Sequence, residues 1–374
     1  MKIVIVIPTY NEAENIGRLI EALSEEFRSD YTNEYHILVV DGNSPDETAE
    51  VVEEKSKKYS FVHLLMEKGK AGLGAAYAYG FKYAMKEMNP DVLMEMDADF
   101  QHDPRDVLRL VEGISNGYDY VIGSRFTKGG SIPKEWKFYR KLLSVGGNLF
   151  SKIVLGIFSV NDFTSGYKAS RVRGFLDKID LDSILSEGFA YKIDLLFKMH
   201  RLGAKIKEVP IKFGLRDRGD SKMERNNFSD SIRVVLSLRF NEKKSFFKFC
   251  IVGFAGLAID IGIFNLLRVT LLNSNTSALV SGLFAMVATF LLNNYWSFKE
   301  KKLEGMNKKL ISLVVYIISS SIPIFVRSKL VYFANKSYGD TFVVSNLAFF
   351  IGIVLGLIWN FTVYSKLIWK GKNN

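Results

Sequence analysis

The run Asp97-Ala98-Asp99-Phe100-Gln101 is the segment of this sequence best equipped for chemistry. It closes Val92–Asp97, an apolar run that reads as a β-strand. In extended chain, residues two apart face one side, so Asp97, Asp99 and Gln101 converge on one point. Two carboxylates that close repel unless a proton or cation intervenes. An all-oxygen trio suits Mg²⁺ or Mn²⁺, with open coordination positions for phosphate oxygens. A solvated acidic strand end would carry the same letters, but Asp41 ends a second strand candidate and strengthens the cluster. Basic residues follow in loop-like contexts: Gly123-Ser124-Arg125, Arg140-Lys141, and Arg216 through Lys222. Such cations beside carboxylates and a metal fit a ligand with several phosphates, although each alone is an ordinary surface charge. The four histidines show no ligand spacing, and His102, which follows Gln101, reads as a neighbour of the site or as a solvent-facing loop residue. The one cysteine, Cys250, lies in an apolar stretch, which excludes a disulfide scaffold and a thiolate zinc site.

The elements that must position these residues alternate. Strands are predicted over Lys2–Pro8, His36–Asp41, Val62–Met66, Val92–Asp97 and Tyr120–Gly123, and helices over Glu12–Glu26, Pro45–Tyr59, Gly72–Met88 and Pro104–Ile114. Ser44-Pro45-Asp46-Glu47 reads as a capping box with proline at the first helical position. The alternation predicts an α/β, mostly parallel, doubly wound sheet, which binds ligands beyond the carboxyl ends of its strands. Pro8-Thr9-Tyr10-Asn11-Glu12 follows strand 1 without a glycine-rich loop, against a dinucleotide enzyme or a P-loop NTPase. Residues 138–160 join a basic start to a long apolar remainder; such a segment lies in a bilayer interface or is a buried core helix.

The 374-residue chain carries a net charge of +10, all of it in the last third: residues 241–374 hold 15 Lys/Arg and 5 Asp/Glu. That third is filled by apolar stretches at about 246–272, 276–298, 309–333 and 343–369, each able to cross a hydrocarbon core of roughly 30 Å. A basic excess placed there argues for a lipid bilayer and against a nucleic-acid partner. Lysines flank the first span, the middle connector and the tail, which predicts a multi-pass protein with head and C-terminus cytoplasmic. The opening MKIVIVIPTYNE lacks a basic n-region, so no cleavable signal is expected. Asp260, Arg327 and Lys329 fall inside spans and are either functional, or an interhelical ion pair or snorkelling basic side chains. Gly352 and Gly356 suit close helix packing.

The motifs IPTYNE (7–12), VVDGNSPDET (39–48), KAGLGAAYAYGFKYA (70–84), MDADFQHDP (96–104), GSRFTKGG (123–130), EGFAYKIDLL (187–196) and EVPIKFGLRDRGDSK (208–222) stand in family order. Through them, residues 3–225 resemble inverting family 2 glycosyltransferases of GT-A fold, in particular the dolichol-phosphate (polyprenol-phosphate) mannose synthases. The last third, through FLLNNYWSF at 290–298, resembles the GtrA-like four-span membrane domain. The resemblance implies a Rossmann-like catalytic domain at 1–225, an amphipathic interfacial linker at 226–245 and an all-α membrane domain at 246–374. It implies transfer of mannose from GDP-mannose to a polyprenyl (dolichyl) monophosphate, with Mg²⁺ or Mn²⁺. Pro8, Tyr10, Glu12 and Asp41 would hold the nucleoside, and Asp97, Asp99 and Gln101 the metal on the donor diphosphate. Arg216 and Lys222 would close over the donor phosphates, and Arg125, Arg140 and Ser144 would receive the acceptor phosphate, with Asp99 and Arg125 central to catalysis. Gly42 stands where many members carry a second acid, and Gln101 where many carry serine, which keeps a UDP-sugar donor such as UDP-glucose as the alternative. A lipid-linked sugar transporter or scaffold with an inactive head is a further one. A processive polysaccharide synthase is disfavoured, because no tryptophan sits in a Q-x-x-R-W context.

Overall fold

The computed structural model describes residues 1–216, 227–270, 274–339 and 341–370. Two compact units, Met1–Arg239 and Phe240–Asn374, make up the chain. The first is built on a seven-stranded sheet: β1 (Lys2–Thr9), β2 (Glu34–Asp41), β3 (Val62–Met66), β4 (Val92–Glu95), β5 (Tyr120–Ser124), β6 (Lys168–Arg171) and β7 (Ile206–Pro210), in the order β3-β2-β1-β4-β6-β5-β7. Strands β1 to β4 pair in parallel, and β6 runs antiparallel to both neighbours.

Helices α1 (Ala13–Phe27), α2 (Thr48–Lys58), α3 (Leu73–Tyr83), α4 (Asp106–Ser115), α5 (Phe138–Leu155), α6 (Tyr191–Arg201) and α7 (Asn227–Glu242) complete this part. Side-chain alternation along β1 explains why both faces are covered. Ile3, Ile5 and Ile7 join the core with α1 and α4, while Val4 and Val6 join the core with α3, α6 and α7. From β1 the chain winds outward to β3, then returns to place β4 on the other side of β1. The crevice between the carboxyl ends of β1 and β4 is therefore the topological switch point, the preferred ligand position in such sheets.

Three expectations change. The short strands β6 and β7 have no clear apolar signature and escape the sequence pattern. Strand β4 ends at Glu95, so Asp97 to Gln101 converge through a loop with Phe100 at φ 59°, not through strand alternation. The capping box does not start α2, which begins at Thr48 after Glu47 at φ 65°. Ser44 instead donates its hydroxyl to Asp41 Oδ2 (2.7 Å), and Asp46 accepts from the Ala13 N–H (3.1 Å), tying the two loops beyond β1 and β2 together.

The second unit is helical: α8 (Lys244–Thr270), α9 (Ser274–Leu292), α10 (Met306–Tyr338) and α11 (Phe342–Val363). Among the described residues, Lys244–Leu267 and Phe350–Ile368 are long and apolar enough to cross a membrane. Aromatic packing organises the interior, where Phe298 stacks on Trp369 (4.6 Å) and Tyr316 on Tyr364 (4.3 Å). A Cβ on Gly356 would stand 2.9 Å from Pro323, so this glycine sets how closely α11 approaches α10. The Arg327 side chain lies outside the described residues.

Candidate active site

Three acidic positions gather at the switch point. Strand β1 and the loop that follows it deliver Pro8, Tyr10 and Glu12, the last with 7% exposure. Arg216 reaches back across the crevice, donating from Nη1 to Glu12 Oε1 (3.0 Å) and pairing through Nη2 with Asp99 Oδ2 (3.0 Å). Its position follows from one backbone and one side-chain bond: the Gly214 N–H donates to Gln101 O (2.9 Å), and the Gln101 side-chain Nε2 donates to Gly214 O (3.2 Å). The segment after β7 is thus fastened to the acidic loop, and Arg216 lies two residues on. The Gln101 N–H donates to Asp99 Oδ1 (3.2 Å), which keeps the two side by side.

Burial, and after it the neighbouring Asp97 carboxylate, push the Asp99 carboxyl up to about 6. Asp97 moves the other way: although burial opposes its ionisation, the Lys192 ammonium (3.7 Å from Oδ2) holds it below the usual range. Two oxygen donors of such close fields, one of them poorly ionised, are what a divalent cation relieves. The oxygen-only donor chemistry of Asp97, Asp99 and Gln101 suits Mg²⁺ or Mn²⁺, while in this arrangement Asp99 Oδ2 is paired with Arg216 and Asp97 Oδ2 faces Lys192.

Asp41 is wholly buried and accepts from Thr9 Oγ1 (2.7 Å) and from the Ser44 N–H (2.8 Å), so it shapes the loop that walls the crevice. Lys70 stands over the Tyr10 ring at 4.9 Å. Lys222 lies outside the described residues. His102 is a neighbour of the site and not a solvent-facing loop residue: it is 1% exposed and stacks on Tyr167 (4.8 Å). Burial pushes its imidazole down to about 4, and its Nδ1 accepts from the Asp97 N–H (3.2 Å), bracing the acidic loop from below. Lys192 lies inside the EGFAYKIDLL motif but carries no local signal that sets it apart from a surface lysine. It needs Gly166, where a Cβ would stand 2.3 Å from its Nζ.

Arg125 is tied down rather than free. Its Nε and Nη2 donate to Asp162 Oδ2 and Oδ1 (2.8 and 2.7 Å), and Nη2 also to Thr164 Oγ1 (2.7 Å). Arg140 lies 3.9 Å over the Trp136 ring, and burial followed by the charge of Arg125 lowers its pKa. The Arg125 charge thus acts on Arg140, although Arg125 is itself paired with the Asp162 carboxylate. Ser144, one turn further along α5, spends its carbonyl on Asn148 Nδ2 (2.8 Å). Beyond these cations α5 exposes Phe138, Leu142, Val145, Leu149 and Ile153, each half or more exposed and spaced to share one face. That stripe decides against the buried-helix reading of 138–160.

Residues 4–176 match the glycosyl transferase family 2 description, and residues 248–369 match "GtrA/DPMS, transmembrane domain". A dolichol-phosphate mannosyltransferase of Pyrococcus furiosus is 32% identical over 99% of both chains. This chain belongs to the dolichol-phosphate and polyprenol-phosphate mannosyltransferase family. Undecaprenyl-phosphate mannosyltransferase of Micrococcus luteus is 42% identical, over 60% of this chain and 88% of its own. Polyprenol monophosphomannose synthase of Mycolicibacterium smegmatis is 39% identical, over 61% and 83%. These two matches span 227 and 233 residues, lengths close to that of the first unit. The chain is accordingly a glycosyltransferase with a membrane domain.

Proposed function

We propose that this enzyme transfers mannose from GDP-mannose to a polyprenyl (dolichyl) monophosphate, with inversion, on the cytoplasmic face of a membrane crossed by four spans. The observation that carries the reading is the start of α5: the Arg140 guanidinium, on whose charge Arg125 at the end of β5 acts, stands beside an exposed apolar stripe. A phosphate on a lipid is the acceptor that uses both features, and the basic connectors of the second unit support the cytoplasmic side.

The chemistry needs no general base. A lipid monophosphate with a second pKa near ~6 arrives largely ionised. Arg125, Arg140 and Ser144 hold it so that one oxygen stands behind the anomeric carbon. That oxygen forms a bond to the anomeric carbon as the bond to the donor's β-phosphate oxygen breaks, and GDP leaves with the bonding pair. Arg216 and Lys222 stabilise the departing diphosphate, while Pro8, Tyr10, Glu12 and Asp41 shape the nucleoside pocket. Asp97, Asp99 and Gln101 would hold Mg²⁺ or Mn²⁺, which supplies further charge neutralisation on the diphosphate.

The test is a donor comparison with purified protein, polyprenyl phosphate and Mn²⁺ or Mg²⁺, with and without chelator. Chelator-sensitive mannolipid from GDP-mannose alone is the expected result. Transfer only from UDP-glucose would move the protein to the glucosyl reading, and no transfer from either would return the transporter or scaffold reading.

A further inference from the structure

Asp97 and Asp99 each already face a cation supplied by the chain, and the two cations differ in kind. Arg216 divides its guanidinium between Asp99 Oδ2 and Glu12 Oε1, at 3.0 Å from each. Lys192 is 1% exposed, and its ammonium, 3.7 Å from Asp97 Oδ2, has that carboxylate as its one ion-pair partner among the described residues.

The sheet fixes Lys192 from below. Glu95 and Lys168 stand opposite each other on β4 and β6, both fully buried. They grip successive residues in the first turn of α6. The Tyr191 hydroxyl donates to Glu95 Oε2 (2.5 Å), and Lys168 Nζ donates to the Lys192 carbonyl (3.0 Å). Tyr191 also stacks on Tyr77, with 5.1 Å between ring centroids, and the Tyr77 hydroxyl donates to the other Asp97 oxygen, Oδ1 (3.3 Å). The Phe189 ring lies 4.6 Å from Lys192 Nζ. Lys192 is therefore a built-in charge of the acidic loop and not a side chain that swings in from the surface.

These charges decide what the loop accepts. Lys192 and Arg216 stand against Glu12, Asp97 and Asp99, which leaves at most one net negative charge among the described groups in these contacts. A divalent ion entering alone would turn that balance positive, in a buried place where like charges are weakly screened. A diphosphate reverses the balance: it brings negative charge, adds oxygen ligands and offers Arg216 a second anionic partner.

We propose that Lys192 makes divalent-cation binding conditional on a nucleoside diphosphate, so that the ion is held strongly only together with the diphosphate and leaves with it. Lys192 acts through Asp97 and is a positioning residue, itself set in place by Glu95 and Lys168. The proposal rests on the assignment of Asp97, Asp99 and Gln101 to a divalent ion.

The test counts free Mn²⁺ by its electron paramagnetic resonance signal while the intact chain, stripped of divalent ions, is titrated with MnCl₂ with and without GDP. For the parent, GDP should tighten Mn²⁺ binding at least about tenfold, and Mn²⁺ should tighten GDP binding by the same factor. Lys192→Met and Lys192→Gln should each tighten Mn²⁺ binding without GDP at least about tenfold, and cut the effect of GDP to below about threefold. A gain of affinity is the discriminating sign, because replacing a residue with only a structural role weakens binding. Mn²⁺ bound equally tightly with and without GDP would overturn the proposal and leave the metal assignment standing. So would unchanged or weaker Mn²⁺ binding in variants that keep the parent's circular dichroism. No Mn²⁺ binding even with GDP would overturn both. Should neither variant fold, the GDP dependence of the parent decides alone.

Discussion

Asp162→Ala is the sharpest perturbation of the site. Arg125 is 7% exposed and Asp162 fully buried, and the two share a bidentate pair of side-chain hydrogen bonds plus one from the Arg125 N–H to Oδ2 (3.0 Å). Although burial opposes ionisation, Arg125 holds the Asp162 carboxyl below the usual range. Removing the carboxylate leaves a buried guanidinium with Thr164 as its remaining side-chain hydrogen-bond partner among the described residues, beside the Phe126 and Phe213 rings, a loss of about 3–5 kcal/mol. For a unit of 239 residues, about 2–4 °C accompanies each kcal/mol, so the unfolding midpoint should fall by about 6–20 °C. The assay is thermal unfolding of the intact chain, read by protease sensitivity of residues 1–239. Replacing both partners, Arg125→Met with Asp162→Leu, should recover most of that stability, because a well-packed apolar pair substitutes for a buried ion pair. The double variant should still be unable to transfer sugar if Arg125 receives the acceptor phosphate. A midpoint within 2 °C of the parent for Asp162→Ala would refute the buried-pair reasoning, and an active double variant would remove Arg125 from the acceptor site.

Three further outcomes are expected. Asp99→Ala, or chelation of the parent protein, should lower transfer by at least about 10²-fold with the head still folded; undiminished turnover would end the metal assignment. Arg216→Lys keeps the charge but cannot span Glu12 and Asp99 together, so the donor KM should rise about 10- to 100-fold, the range of a lost charged hydrogen bond. Leu142→Glu with Leu149→Glu sits on an exposed face, so unfolding should shift by no more than about 0.5 kcal/mol per site. Transfer to a long polyprenyl phosphate in liposomes should nonetheless fall at least tenfold, while a short soluble acceptor is used as before; equal losses on both would take α5 away from the bilayer.

Much of the site could be read without coordinates, because its residues lie in short local motifs at strand ends. Asp41, Asp97 and Asp99 announce themselves by following apolar runs, and residues in the same loop must be neighbours. The basic loops were legible as charges, but their partners were not. That Arg125 is clamped by Asp162, 37 residues away, follows from β5 and the segment before β6 meeting in the sheet, a pairing no periodicity encodes. His102 likewise reads as an exposed loop residue until Tyr167 and Phe213 close over it.

Local sequence determined the strand–helix alternation, the acidic loop and the apolar, lysine-flanked last third, since each is a pattern within a few turns of chain. Tertiary structure decided which charges are spent on one another and which face a ligand. Arg216 meets Glu12 across 204 residues only because β1 and β4 lie side by side and the segment after β7 is bonded to the loop at Gln101. The same holds in the second unit, where separate helices bring Asn293 and Asn360 to one space, because which helix face is covered depends on the partner helix and not on the local pattern.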